Sequence, residues 1–313
     1  MAGISDSPYR LLCRRFGAGF SFTEFVSSDA LSHGSQKSLA MFRFEPEERP
    51  VIFQIFGKDE SVIVNAARIA ESLRPDVLDL NMGCSVNKVA MKGAGAGLLR
   101  DPVKAGRIIQ SLRRSLGIPV TAKIRLGWDD SSRNYRDVAR ILEDAGVAML
   151  SVHGRTRAQA YKGRADWDAI GEIKNLVSIP VLGNGDVQSH GEALERKRDY
   201  GVDGVLVGRG AIGNPWLFSG RDKDGIALAE LLDVMLAHLG VMEEFYESGV
   251  ILFRKHAARY LHGFPGARAL RSRMMAAEGA AEAEDVCREF QETYRSDPEY
   301  AEHSAPAGVG RER

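Results

Sequence analysis

Short apolar runs broken by alternating polar positions recur along the first two-thirds of the chain, and between them apolar residues fall three and four apart. The runs 20–25, 51–56, 77–81, 120–125, 149–153, 180–183 and 204–208 are rich in β-branched and aromatic residues and predict strands. The intervening spacing predicts helices over 7–16, 61–72, 135–145, 167–174 and 191–197, with Asp6 or Ser7 placed to cap the first. Strands alternating with helices at this interval mean βαβ units and a parallel sheet. Seven strands in a chain that opens on a helix point to a (β/α)8 TIM barrel with its first strand truncated. A doubly wound sheet would carry a Gly-rich turn after its first strand, and none stands there.

Beyond 217 the texture changes. Leu228, Leu231, Leu232, Met235, Leu236 and Leu239 recur at helical spacing, and no strand candidate follows. The expected organisation is therefore a barrel domain over 1–217, a small helical domain over 226–296 and a polar, disordered tail over 297–313.

Composition narrows the classes. In 313 residues Lys plus Arg and Asp plus Glu are both 42, so any attraction for nucleic acid must come from a local patch. Three distant cysteines, Cys13, Cys84 and Cys287, argue against a disulfide framework, and the lack of a CxxC or Cys/His cluster argues against a metal site. With no signal peptide and no twenty-residue apolar span, a cytoplasmic protein without a membrane segment is expected.

In a barrel the reactive groups stand at the C-terminal strand ends. Glu24, Gln54, Asn81, Lys123, Arg125, His153, Asn184 and Arg209 all fall there. The run 77–81 delivers Asn81 and, three residues on, Cys84 to that rim, in a loop carrying Lys88, Lys92 and the glycines 93, 95 and 97. A thiol so placed reads as functional, whereas Cys13 and Cys287 lie in helical patterns and read as structural. The turns at Gly183-Asn184-Gly185-Asp186 and Gly208-Arg209-Gly210 follow the last two strands, where barrels bind phosphate. Lys123 inside a mouth calls for an anionic partner, which a reduced isoalloxazine ring would supply, with Gln54 on its pyrimidine edge. A lone histidine is usually structural, but His153 is followed by Gly154-Arg155-Thr156-Arg157, an unusual end for a core strand.

Between 251 and 275 the chain has Arg254, Lys255, Arg259, Arg268, Arg271 and Arg273 and no acid, while the preceding helix carries Glu243, Glu244 and Glu247. Phe253, Ala257, Tyr260 and Leu261 are spaced to pack inward and leave a cationic face suited to a phosphate backbone.

These phrases together resemble the tRNA-dihydrouridine synthases, most of all the bacterial B-type branch. The resemblance runs through Met1-Ala2-Gly3, Thr23-Glu24-Phe25, Gln54-Ile55-Phe56-Gly57, Asn81-Met82-Gly83-Cys84, Lys123-Ile124-Arg125, His153-Gly154-Arg155-Thr156-Arg157, the two Gly-rich turns and Gly263-Phe264-Pro265-Gly266. It implies an FMN-bound barrel that reduces the C5=C6 bond of tRNA uridines, with NADPH visiting as transient reductant; apart from the resemblance, a monomer is expected. By the same resemblance Met1, Ala2, Gln54, Lys123, His153, Asn184, Gly185, Asp186, Gly208 and Arg209 would hold FMN, and Cys84 would be the proton donor. Asn81 and Arg155 would orient the base, and Arg254, Lys255, Arg259 and Arg271 would grip the RNA. The chain departs from the family at Ser85, where proline is usual, and in lacking most of the family's opening strand. Two other readings stay open: an FMN oxidoreductase acting on a small molecule, and a non-catalytic tRNA-binding module.

Overall fold

The computed structural model describes residues 1–264 and 266–296; Pro265 and the tail expected over 297–313 lie outside them. The chain divides into two compact units, one of Met1–Arg14 and Gly19–Arg209, the other of Arg15–Ala18 and the described residues from Gly210 on.

In the first unit β1 (Ser21–Ser27), β2 (Val51–Phe56), β3 (Val77–Met82), β4 (Val120–Arg125), β5 (Leu150–His153), β6 (Val181–Asn184) and β7 (Gly204–Leu206) form one sheet in chain order, every neighbouring pair parallel. The sheet has seven strands, and β1 and β7 do not pair. Among the described residues this is the barrel with a truncated first strand that the sequence leads one to expect, since closing the ring needs one more strand between those two.

Helix α1 (Ser7–Arg15) precedes β1, and α2 (Glu60–Ser72), α3 (Pro102–Ser115), α4 (Tyr135–Asp144), α5 (Trp167–Leu176) and α6 (His190–Tyr200) connect later strands. All but α3 stand where the spacing predicts. The sequence does signal α3: Asp101 accepts from Lys104 N at 3.0 Å as N-cap, Pro102 opens the helix, and Ala105, Ile108, Ile109 and Leu112 are buried.

Strand alternation divides the sheet into two unlike faces. Val51, Phe53, Ile55, Leu78, Leu80, Met82, Val120, Ala122, Ile124, Leu150 and Val152 form one core with Ile63, Ile108, Val138 and Ile170 of the helices. The opposite face carries Gln54, Asp79, Asn81, Thr121, Lys123, Ser151, His153 and Asn184. Most of these are buried too.

The second unit is helical: α7 (Leu228–Phe245), α8 (Gly249–Tyr260), α9 (Ala267–Ala276) and α10 (Ala280–Ser296). Leu231, Leu232, Met235 and Leu239 are buried with Phe253, Ala257, Tyr260 and Leu261, as their spacing requires. No described helix is long and apolar enough to cross a membrane.

One ion pair holds α1 in the first unit. Arg10 Nε meets Glu48 Oε2 at 2.6 Å with both side chains buried, and the guanidinium also donates to Ser5 O and Arg43 O at 2.7 Å each. Ser7 Oγ donates to the same carboxylate. Glu48→Ala strands a buried guanidinium, so a loss of about 3 kcal/mol is expected, read in thermal melts as a drop of roughly 6–12 °C.

Candidate active site

Parallel pairing brings the strand ends together. Asn81 lies opposite Lys123, Arg125 opposite His153, and His153 opposite Asn184. The residues expected at the rim therefore gather at one end of one sheet.

Positive charge dominates that end. Lys123 Nζ donates to Asn184 Oδ1 at 3.2 Å, and Asn184 Nδ2 donates to Leu206 O at 2.8 Å. No ion pair among the described residues engages Lys123. Burial, with Arg125 adding repulsion and Asp79 opposing, lowers its pKa to about 8. His153 is driven further, to about 2, by burial and by Lys123, Arg125, Arg155 and Arg209 around it. It is a neutral imidazole. Arg155 Nη1 lies 3.2 Å from His153 Nε2, and a guanidinium only donates, so the ring proton is on Nδ1.

Arg155, expected to face a base, is instead wholly committed to the protein. Its Nε donates to Lys162 O at 3.1 Å, and Nη2 to Gly163 O at 2.7 Å and Asp186 Oδ2 at 2.6 Å, with 1% of the residue exposed. Asp186 also accepts from Ala165 N at 2.8 Å and Arg209 at 3.4 Å. These bonds hold its carboxyl below the usual carboxylate range against the opposing pull of burial. Arg155 and Asp186 form a strut that fixes the loop after β5. The turn beyond β6 needs Gly185, whose φ is +137° and whose missing Cβ would lie 2.4 Å from Ala165 Cβ.

Three further groups complete the rim. Tyr161, missed by the sequence reading, stands exposed with Arg209 Cζ 4.8 Å and Arg125 Cζ 5.8 Å from its ring centroid; nothing in the sequence but its place after β5 marks it. Met1 adjoins Gly208, since a Cβ there would lie 3.5 Å from its sulfur. Gly3 N donates to Glu24. No hydrogen bond among the described residues engages the N–H groups of Gly185, Asp186 or Gly208.

Cys84 follows Gly83, whose carbonyl accepts from Arg125 Nε at 2.8 Å. Burial raises the Cys84 thiol, against the pull of the Val86 N–H and Arg125. Buried Cys13 and Cys287 are pushed up to about 12. Cys84 is 8% exposed and, at neutral pH, a protonated thiol beside a cation.

In the second unit Arg254 Nη2 donates to Ala277 O at 3.3 Å and Arg271 Nη1 to Leu261 O at 3.1 Å, so both help to tie helix ends. Arg259 and Arg268 are exposed and Lys255 is half-buried.

Lys123 gives a pH test. Its folded pKa lies below the ordinary value, so the unfolded chain binds more protons from about pH 8 to 10.5 and ligand-free stability rises with pH there. Lys123→Met is expected to stabilise the ligand-free chain at pH 7 by about 1–2 kcal/mol, discounted for partial exposure, with the gain shrinking as pH passes 9 in denaturant titrations.

A family model described as dihydrouridine synthase matches residues 1–295. The chain is 42% identical over 282 residues to tRNA-dihydrouridine synthase B of Pseudomonas aeruginosa, covering 87% of this chain and 85% of that one. It is 40% identical over 275 residues to the same-named protein of Xanthomonas campestris pv. campestris, covering 85% and 83%. Histamine dehydrogenase from Rhizobium sp. 4-9 superposes with a TM-score of 0.54 at 13% identity over 76% of this chain and 46% of that one, a likeness of fold. The chain belongs to the dihydrouridine synthase family of tRNA-modifying oxidoreductases, on its B-type branch.

Proposed function

We propose that this chain reduces the C5=C6 bond of uridines in tRNA, with FMN at the strand ends, NADPH as the source of electrons and Cys84 as the proton donor. The observation that carries the reading is a protonated thiol at the end of β3 beside a cluster of cations that lacks matching anions among the described residues.

The residues fit the cofactor. Lys123, engaged by no ion pair among the described residues, and the one Gln54 amide N–H that Asp79 does not take offer donors to a flavin's pyrimidine edge. Arg209 and the unengaged N–H groups of Gly185, Asp186 and Gly208 offer a phosphate cradle. Met1, Ala2, His153 and Asn184 complete the set. Bound there, FMN would supply a hydride to C6 of the uracil.

The chain's own groups do the rest. Reduction at C6 leaves negative charge on C5 and O4, and the Cys84 thiol hands its proton to C5. Arg125 then faces the thiolate and offsets its charge until water restores the proton. Neutral His153 cannot compete as an acid, because burial and then Lys123, Arg125, Arg155 and Arg209 suppress its protonation. Asn81, whose amide already bonds Gly83 and Gln54, would orient the base through the N–H of its amide that Gln54 leaves unused. Arg155 acts on the loop after β5, in keeping with its bonds there.

Two surfaces suit RNA. In the first unit Lys88, Lys92, Lys162 and Arg164 are exposed beside the exposed Val86, Met91 and Tyr161, a mixture of cations and flat or apolar side chains that favours an unstacked strand. In the second, Arg259, Arg268 and half-buried Lys255 suit the phosphate backbone. A small substrate has no use for either, which disfavours the small-molecule reading. The uridine is expected to leave its stack to reach the thiol.

Cys84→Ala separates enzyme from binding module. Dihydrouridine formation is expected to fall at least about 100-fold with tRNA affinity unchanged; equal activity in variant and wild type rejects the proposal. Removing both Arg259 and Arg268 as Gln is expected to weaken tRNA binding and flatten its log–log salt dependence by about 1.4–1.8.

A further inference from the structure

Asp79 is the one buried carboxylate on the inner face of β3, and neither the sequence reading nor the proposed chemistry uses it. We infer that Asp79 is a positioning residue: it fixes the polarity of the Gln54 and Asn81 amides, and through them the backbone that presents Cys84. The inference deepens the proposed function and rests on it for its activity arm alone.

Four groups form a one-way chain of hydrogen bonds. Gly83 N–H donates to Asn81 Oδ1 at 2.9 Å, Asn81 Nδ2 to Gln54 Oε1 at 2.8 Å, and Gln54 Nε2 to Asp79 Oδ2 at 2.8 Å. Thr121 Oγ1 lies 2.7 Å from Asp79 Oδ1. The direction is imposed from both ends. A peptide N–H can only donate, so Asn81 must turn its oxygen to Gly83 and its NH2 to Gln54. Gln54 then presents its NH2 downward, and position 79 must accept. Asp79 Oδ2 accepts in either protonation state, because a proton on Oδ1 passes to the Thr121 hydroxyl, which can accept as well as donate. With Arg125 Nε on Gly83 O, the peptides on both sides of Gly83 are held one residue before the thiol.

The geometry yields a polarity swap. Asn81→Asp still accepts from Gly83 but sets an oxygen against Gln54 Oε1, and Gln54 can turn only if Asp79 takes up a proton and becomes the donor to Oε1. Adding Asp79→Asn allows the turn. The new amide at position 79 donates to Gln54 Oε1, Gln54 donates to the new carboxylate at position 81, and Thr121 donates to the amide oxygen at position 79. Every bond returns with the Gln54 amide reversed. Asp79→Asn alone keeps the original direction by donating to Thr121.

The test is alkylation of Cys84 by iodoacetamide, read by peptide mass spectrometry on the full chain as purified, together with tRNA affinity and dihydrouridine turnover. Asn81→Asp is expected to speed alkylation about tenfold, and the double variant to return it to within about twofold of wild type. If Asn81→Asp alone does not fold, recovery of folded double variant supports the chain of polarity equally. Turnover in the double variant is expected to stay at least about tenfold down with tRNA affinity within about twofold, because the amide that faces the mouth is reversed. A double variant whose Cys84 remains as exposed as in Asn81→Asp overturns the chain of polarity, and one with turnover fully restored overturns the positioning role. Wild type without dihydrouridine activity rejects the proposed function and leaves the alkylation arm intact.

Discussion

A buried polar atom must find a partner, and on the inner face of this sheet that requirement decides nearly every side-chain position. The helix-facing side is apolar and needs only volume. The other side is just as closed to water at Asp79, Asn81 and Thr121, yet it is built of amides, hydroxyls and charges. Each such group restricts its neighbour: an acceptor at Asp79 dictates which way Gln54 turns, and Gln54 dictates Asn81. The result is a floor with few alternative arrangements.

Above that floor the balance of charge is left open. Four cations bear on His153, and among the described residues only Asp186 stands with them as an ion-pair partner, shared between Arg155 and Arg209. The imbalance adds to the cost of burial in the ligand-free chain: burial first, and Arg125 after it, lower the pKa of Lys123. An anion in the mouth relieves it. Affinity for the ligand and stability without it are therefore set by the same residues, and a change that helps one at Lys123 works against the other.

Much of this was legible in the sequence because parallel strands leave few choices. Once 77–81, 120–125 and 149–153 read as strands, Asn81, Arg125 and His153 had to share an end, and the observed register puts them there. Helix α3 escaped because the glycine-rich stretch before it masks the start, although Asp101-Pro102 and the Ile108, Ile109, Leu112 spacing carried the signal. The arginines were harder. Arg155, Arg157 and Arg209 look alike in sequence; only the fold reveals that Arg155 commits its donors to Lys162, Gly163, His153 and Asp186, whereas Arg209 remains half exposed. Which guanidinium is consumed depends on carbonyls from a loop whose path no local rule predicts.

The loop after β3 shows how such constraints replace a sequence feature. Ser85 stands where the family resemblance leads one to expect proline, and by itself it leaves the backbone one more free dihedral. Rigidity here comes from anchors on either side of it. Gly83 is tied through both its N–H and its carbonyl, Ala96 N donates to Cys84 O at 3.1 Å, and Asn87 meets Arg157 from the loop after β5. Arg157 is itself seated 4.5 Å from the centre of the Trp128 ring. Gly95 must be small for this arrangement, since a Cβ there would lie 2.9 Å from Cys84 Cβ. The entropy that proline would remove in the unfolded chain is thus opposed by enthalpy in the folded one, and the backbone that carries the thiol is held by hydrogen bonds from β3, from β4, from the later part of its own loop and from the loop after β5.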